Sequence, residues 1–194
     1  VDQDHWDSAL TDIAAVPVLR LSPFQHYRLC GLLMQTGQFT RAMPEYRALV
    51  ARAPAYAEAW LGLAAACERA NDLDGMQDAL TRVQVLPLNS AQHAGVNQMQ
   101  GKLASRRNDN TSACRFLGAA YEADVSDPLW KSQVGFDYGQ CLDKVGRYAE
   151  AWQVFNTAHA TRNRIKTDAA GDHQALDFFA LLRVPVSGHW PALA

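Results

Sequence analysis

The sequence predicts an all-α solenoid built from antiparallel helix hairpins, and three observations predict it. A short turn signature recurs four times, each copy followed by a small or medium apolar residue. The copies are Thr36-Gly37-Gln38-Phe39 before Ala42, Ala70-Asn71-Asp72-Leu73 before Met76, Arg107-Asn108-Asp109-Asn110 before Ala113, and Val145-Gly146-Arg147-Tyr148 before Ala151. Their spacing is 34 residues, then 37, then 38, and such a period marks stacked helical hairpins. Between the turns, apolar residues recur at three- and four-residue steps, as Leu29 to Leu33 and Ala42 to Tyr46 to Leu49 do. That spacing places them on one helical face.

Taken in order, residues 1–22 read as a partial helical unit. Trp6, Ala9 and Ile13 have the spacing of a second helix without its partner, and Pro17 ends it. The first full hairpin is 23–56. Its first helix carries Tyr27, Leu29, Cys30 and Leu33, and its second carries Phe39, Ala42, Tyr46 and Leu49. Gly37 adopts the left-handed conformation that ends a helix cheaply, and Pro54 cannot continue a helix interior. The second hairpin, 57–89, repeats the pattern with Trp60, Leu63, Ala64, Leu73, Met76, Leu80 and Val83. There Asn71 replaces Gly, and Asn tolerates the same backbone region.

The third hairpin, 90–128, keeps small residues at Gly101 and Ala113 but lacks an opening aromatic. The fourth, 129–164, is regular again through Tyr138, Gly139, Leu142, Ala151, Phe155 and Ala158. The aromatics are expected to fill the space between hairpins. Residues 165–194 are expected to form a capping helix over Asp172–Leu182, with an irregular tail from Val184 to Pro191.

The residues His26, Leu29, Cys30, Gly37, Phe39, Ala42, Tyr46 and Pro54 resemble the tetratricopeptide repeat, a 34-residue helix–turn–helix. The resemblance covers about residues 23 to 164. It implies a right-handed superhelix, and a protein–protein interaction module whose concave groove receives a peptide or partner protein. A variant of that family clamps a terminal carboxylate with Lys and Asn, but Gly31 and Ala65 stand where its asparagines would be.

Composition narrows the partners. A net charge of −2 over 194 residues gives no general reason to expect nucleic acid or an anionic membrane. No run of eighteen apolar residues is present, so no membrane span is expected. The start at Val1 shows no signal-peptide pattern and reads as trimmed. Cys30, Cys67, Cys114 and Cys141 have no metal-ligand spacing and read as buried thiols of a reducing, cytoplasmic compartment.

No catalytic constellation is evident, so no enzyme activity, cofactor or metal is expected. The six histidines offer no pair four apart on a helix, and His26 takes a core position. Asp72, Asp74 and Asp78 read as helix N-terminal charge rather than a cation site.

The expected site is therefore the concave face of the first helices. Gly31, Gly62 and Ala65 leave a shallow trough, flanked by Tyr27, Met34 and Leu61 as apolar anchors. Arg28, Arg69, Lys102 and Arg106 form a basic stripe beside it, which suits an acidic peptide; the alternative is solvated helix faces with Arg paired locally to Glu58 and Glu68. Exposed end hairpins make a homodimer a further expectation.

A second reading belongs to another class. The run Phe136-Asp137-Tyr138-Gly139-Gln140-Cys141-Leu142-Asp143-Lys144-Val145-Gly146-Arg147-Tyr148-Ala149-Glu150-Ala151-Trp152, with Arg162-Asn163-Arg164, resembles the last repeat before the catalytic domain of bacterial repeat-containing sulfotransferases. The resemblance covers some fifty residues and implies the non-catalytic module of a larger enzyme.

Overall fold

The computed structural model describes residues 21–171, with side chains to residue 167. Its helices pair in chain order: α1 (Pro23–Gln35) with α2 (Phe39–Arg52), and α3 (Ala57–Arg69) with α4 (Leu73–Gln84). They continue as α5 (Ser90–Arg106) with α6 (Asn110–Glu122), and α7 (Pro128–Lys144) with α8 (Tyr148–Gly171). The array is all-α. The partial helix around Trp6, Ala9 and Ile13, the capping helix over Asp172–Leu182 and the tail lie outside the described residues.

The four recurrent turns share one hydrogen-bond geometry. Each first helix ends with an N–H five residues on donating back to a carbonyl: Gln38 to Leu33 (2.8 Å), Asp72 to Cys67 (2.8 Å), Asp109 to Ala104 (2.9 Å) and Arg147 to Leu142 (2.9 Å). That closure needs a left-handed residue. Gly37 (φ +76°), Asn71 (+58°), Asn108 (+61°) and Gly146 (+79°) supply it.

The growth in spacing has a simple source. The first helices α5 and α7 have 17 residues each, against 13 in α1 and α3. One added helical turn preserves which side faces the core. Helix α8 runs 24 residues, past the expected unit end at 164, because no Pro or Gly interrupts it before Gly171.

Caps fix the helix starts. Ser22 and Asn89 form capping boxes with Gln25 and Gln92. Asp109 accepts from the Ser112 N–H (3.0 Å) at the start of α6, and hydrogen bonding from the Ser112 side chain, then from its backbone, lowers the Asp109 carboxyl below the usual 3.8. A depressed carboxyl contributes stability above its unfolded value, and that stability is lost as pH falls through the lower folded value. In urea titrations, the advantage of the native chain over Asp109→Asn should therefore shrink between pH 5 and pH 2. Parallel curves across that range would remove the cap from the account.

Small residues set the packing. A Cβ at Gly101 would meet Leu117 Cγ at 2.5 Å, and one at Gly139 would meet the Phe155 ring at 2.6 Å. Paired helices approach closely there. Two apolar clusters result. One joins the first two hairpins and reaches Val96, Met99 and Leu103 of α5. The other joins the last two through Leu117, Leu142, Ala151 and Val154. His26 is buried, as its core position suggests, and its Nε2 lies 2.9 Å from Glu45 Oε2 of α2.

The aromatics do not all fill gaps between hairpins. Phe39 lies beneath the guanidinium of Arg69 in the next hairpin, 5.0 Å from its ring centroid. Tyr148 occupies the same repeat position but no described hairpin follows it, and both it and Trp152 are 68% exposed.

Candidate functional site

The first helices α1, α3, α5 and α7 contact one another in sequence, so their outward faces form one continuous surface. A groove of about 440 Å³ runs along it. Tyr27 and Met34 of α1 form one end, and Leu61, Gly62 and Ala65 of α3 the middle. Gly95 and Met99 of α5 continue it, and Trp130 of α7 stands at the far end.

Its depth comes from glycine. A Cβ at Gly62 would overlap the ring of Tyr46, which reaches the groove from α2. At Gly95 a Cβ would meet only the flexible end of Leu61, at 3.2 Å. The Tyr27 ring packs edge-on to Tyr46 (centroids 6.2 Å apart) and tilted against Tyr56 (5.4 Å). Burial, and then the charge of Glu58, push the Tyr27 phenol above its ordinary value. Burial raises Tyr46 and Tyr56 likewise. All three remain neutral hydroxyls at physiological pH.

The polar rim is tied across hairpins. Gln92 Nε2 donates to Glu58 Oε1 (2.8 Å), while Gln92 Oε1 accepts from the Asn89 N–H (2.8 Å). The cap of α5 thus extends onto α3. Trp130 Nε1 donates to Gln98 Oε1 (2.8 Å), which fastens α7 to α5. Glu58 is the one charged side chain among the described lining residues, and it is already hydrogen-bonded.

Of the residues the sequence singled out, Tyr27, Met34, Leu61, Gly62 and Ala65 come together in this groove. Arg28, Gly31, Arg69, Lys102 and Arg106 are not in its lining. Arg106 Nε donates to Glu68 Oε1 (3.1 Å), joining α5 to α3, and Glu68 is only 8% exposed. Lys102 Nζ lies 3.4 Å from Asp137 Oδ2, joining α5 to α7. Arg69 is the residue stacked over Phe39. These last three cations have partners within the fold.

Gly31 has open space on its outer side: a methyl placed there would have nothing within 4 Å. Because glycine weakens a helix interior, Gly31→Ala should stabilise the chain by about 0.5–1 kcal/mol. Thermal melts of the two proteins check this, and an unchanged or lowered midpoint would contradict it.

Sequence reasoning passed over Gly95, Gln92 and Trp130. A signal for Trp130 was present. Asp127-Pro128 is a cap followed by a first-turn proline, and Asp127 accepts from the Leu129 and Trp130 N–H groups. That cap sets Trp130 in the first turn of α7, where its Nε1 reaches Gln98 of α5. Among the described residues, no cluster of three or more His, Cys, Asp or Glu could hold a metal ion, and no helix is long and apolar enough to cross a membrane.

A tetratricopeptide repeat family model matches residues 24–66. No curated protein matches the sequence. The fold is similar to a crystal structure of MamA at 17% identity, covering 84% of this chain and 87% of that one, with a TM-score of 0.56. It is similar to BtubC (BKLC) from P. vanneervenii at 16% identity, covering 83% and 72%, with a TM-score of 0.58. A third structure, YrrB, described as a TPR protein with an unusual peptide-binding site, matches at 16% identity over 80% and 74%, with a TM-score of 0.52. The fold is a tetratricopeptide-type superhelix, and the resemblance of residues 136–164 to sulfotransferases gains nothing from these matches.

Proposed function

We propose that this chain is a protein-interaction module that holds an apolar segment of a partner protein in the groove of its first helices. One observation carries the reading. The groove crosses hairpins one to four with an apolar floor, amide and phenol groups and the one carboxylate of Glu58 at its sides, and no cation among its described lining residues. Such a surface suits a segment with aliphatic or aromatic anchors, whose backbone meets Gln92, Gln98 and the tyrosine hydroxyls. An acidic peptide finds less to meet. Arg106, Lys102 and Arg69, which would attract it, are engaged with Glu68, Asp137 and Phe39.

Solved proteins of the same fold, including one described as having a peptide-binding site, support the interaction class. The alternative of a non-catalytic module within a larger sulfotransferase has no geometric observation in its favour. The test is selection of binders from a random displayed peptide library on the purified chain. Enrichment of sequences sharing apolar anchors supports the reading, and enrichment of acidic sequences without them would overturn it.

A further inference from the structure

A second concavity, of about 510 Å³, lies on the other side of the array, between α6 and the turn into α8. Cys114 lines it, 9% exposed, together with Arg115, Glu122, Tyr138 and Arg147. Directly behind Cys114, and 2% exposed, is Cys141 of α7. Their sulfurs are 2.7 Å apart, closer than non-bonded sulfurs ordinarily approach. The two residues belong to successive hairpins, so the contact crosses the seam between the third and the fourth. Cys30 and Cys67 are also buried thiols but form no such contact.

We propose that Cys114 and Cys141 are a thiol–disulfide site, and that a small-molecule disulfide entering this concavity converts them into a covalent staple between hairpins three and four. The placement gives each sulfur its role. Cys114 is the one a reagent can reach. Arg147 is already paired with Glu150 and Glu122 also lines the wall, so access rather than charge selects the reagent, and oxidised glutathione serves as the probe disulfide. Cys114, as thiolate, attacks one sulfur of the reagent, forming a mixed disulfide and releasing one thiolate. Cys141 then gives its proton to the thiolate just released and attacks Cys114 Sγ, releasing the second thiolate. The reagent is reduced to two thiols while the two cysteines are oxidised to one disulfide.

Burial, with the Cys114 sulfur adding to it, pushes the Cys141 thiol up to about 12. It is a poor first nucleophile, which leaves the opening attack to Cys114. The bond would close a loop between residues 27 apart and lock α6 to α7, the helix that carries Trp130.

The experiment is to incubate the full chain with oxidised glutathione, remove the reagent, and compare it with reduced protein by intact mass, peptide mapping and thermal melt. Expected are a loss of two hydrogens, one cross-linked pair joining Cys114 to Cys141, and a midpoint raised by about 5–10 °C. In Cys141→Ser the reaction should halt one step earlier, with a single glutathionyl group on Cys114. A native chain that keeps its reduced mass, retains a stable mixed disulfide, or links through Cys30 or Cys67 would overturn the proposal.

Discussion

Truncating Tyr46 to alanine should lower folding stability by about 3–5 kcal/mol, measured by urea unfolding. Its ring is 3% exposed and sits between hairpins one and two, against Tyr27 on one side and the backbone of Gly62 on the other. Gly62 has no side chain to collapse into the space, so the cavity stays open. Tyr46→Phe keeps the ring and should fall within about 1 kcal/mol of the native chain. Trp152→Ala removes a larger ring, yet its 68% exposure predicts a change within about 0.5 kcal/mol. Equal losses from the Tyr46 and Trp152 truncations would mean the core is not distributed as described.

The second large effect concerns binding. Gly95→Gln should reduce the affinity of library-selected apolar peptides at least tenfold, a loss of about 1.4 kcal/mol or more. A side chain there projects into the groove, where its Cβ meets only Leu61. Gln forms helix better than Gly, so folding stability should hold or rise by up to about 1 kcal/mol. Loss of binding without loss of stability separates an occupied groove from a damaged fold. Titration of a labelled selected peptide, beside a thermal melt, reads both.

The hairpin plan was legible because it is written in local chemistry. Asn71 and Asn108 stand where Gly37 and Gly146 do, and all four adopt the left-handed backbone that ends a helix. Ala42, Gly101, Gly139 and Ala151 are small because another helix lies against them, and the repeat spacing reveals this. The groove was legible in its apolar half for the same reason: Leu61, Gly62 and Ala65 share one helical face.

Charge was not legible in this way. Glu68 and Arg106 are 38 residues apart, on α3 and α5, and only the stacking of hairpins brings them together. Lys102 and Asp137 meet by the same route. A helix viewed alone shows a row of cations, whereas the stacked array gives Arg69, Lys102 and Arg106 partners on neighbouring helices. Trp130 escaped for the same reason, because only stacking brings it against Gln98 of α5, 32 residues earlier in the chain.

The central claim is that ligand recognition lies in the apolar groove, while Arg69, Lys102 and Arg106 hold successive hairpins together. Affinity of one selected peptide for two variants tests it most directly. Arg106→Gln should lower stability, since it leaves the buried Glu68 unpaired, and should leave peptide affinity unchanged. Gly95→Gln should do the reverse. Affinity lost in Arg106→Gln and kept in Gly95→Gln would contradict the account and return recognition to the basic stripe.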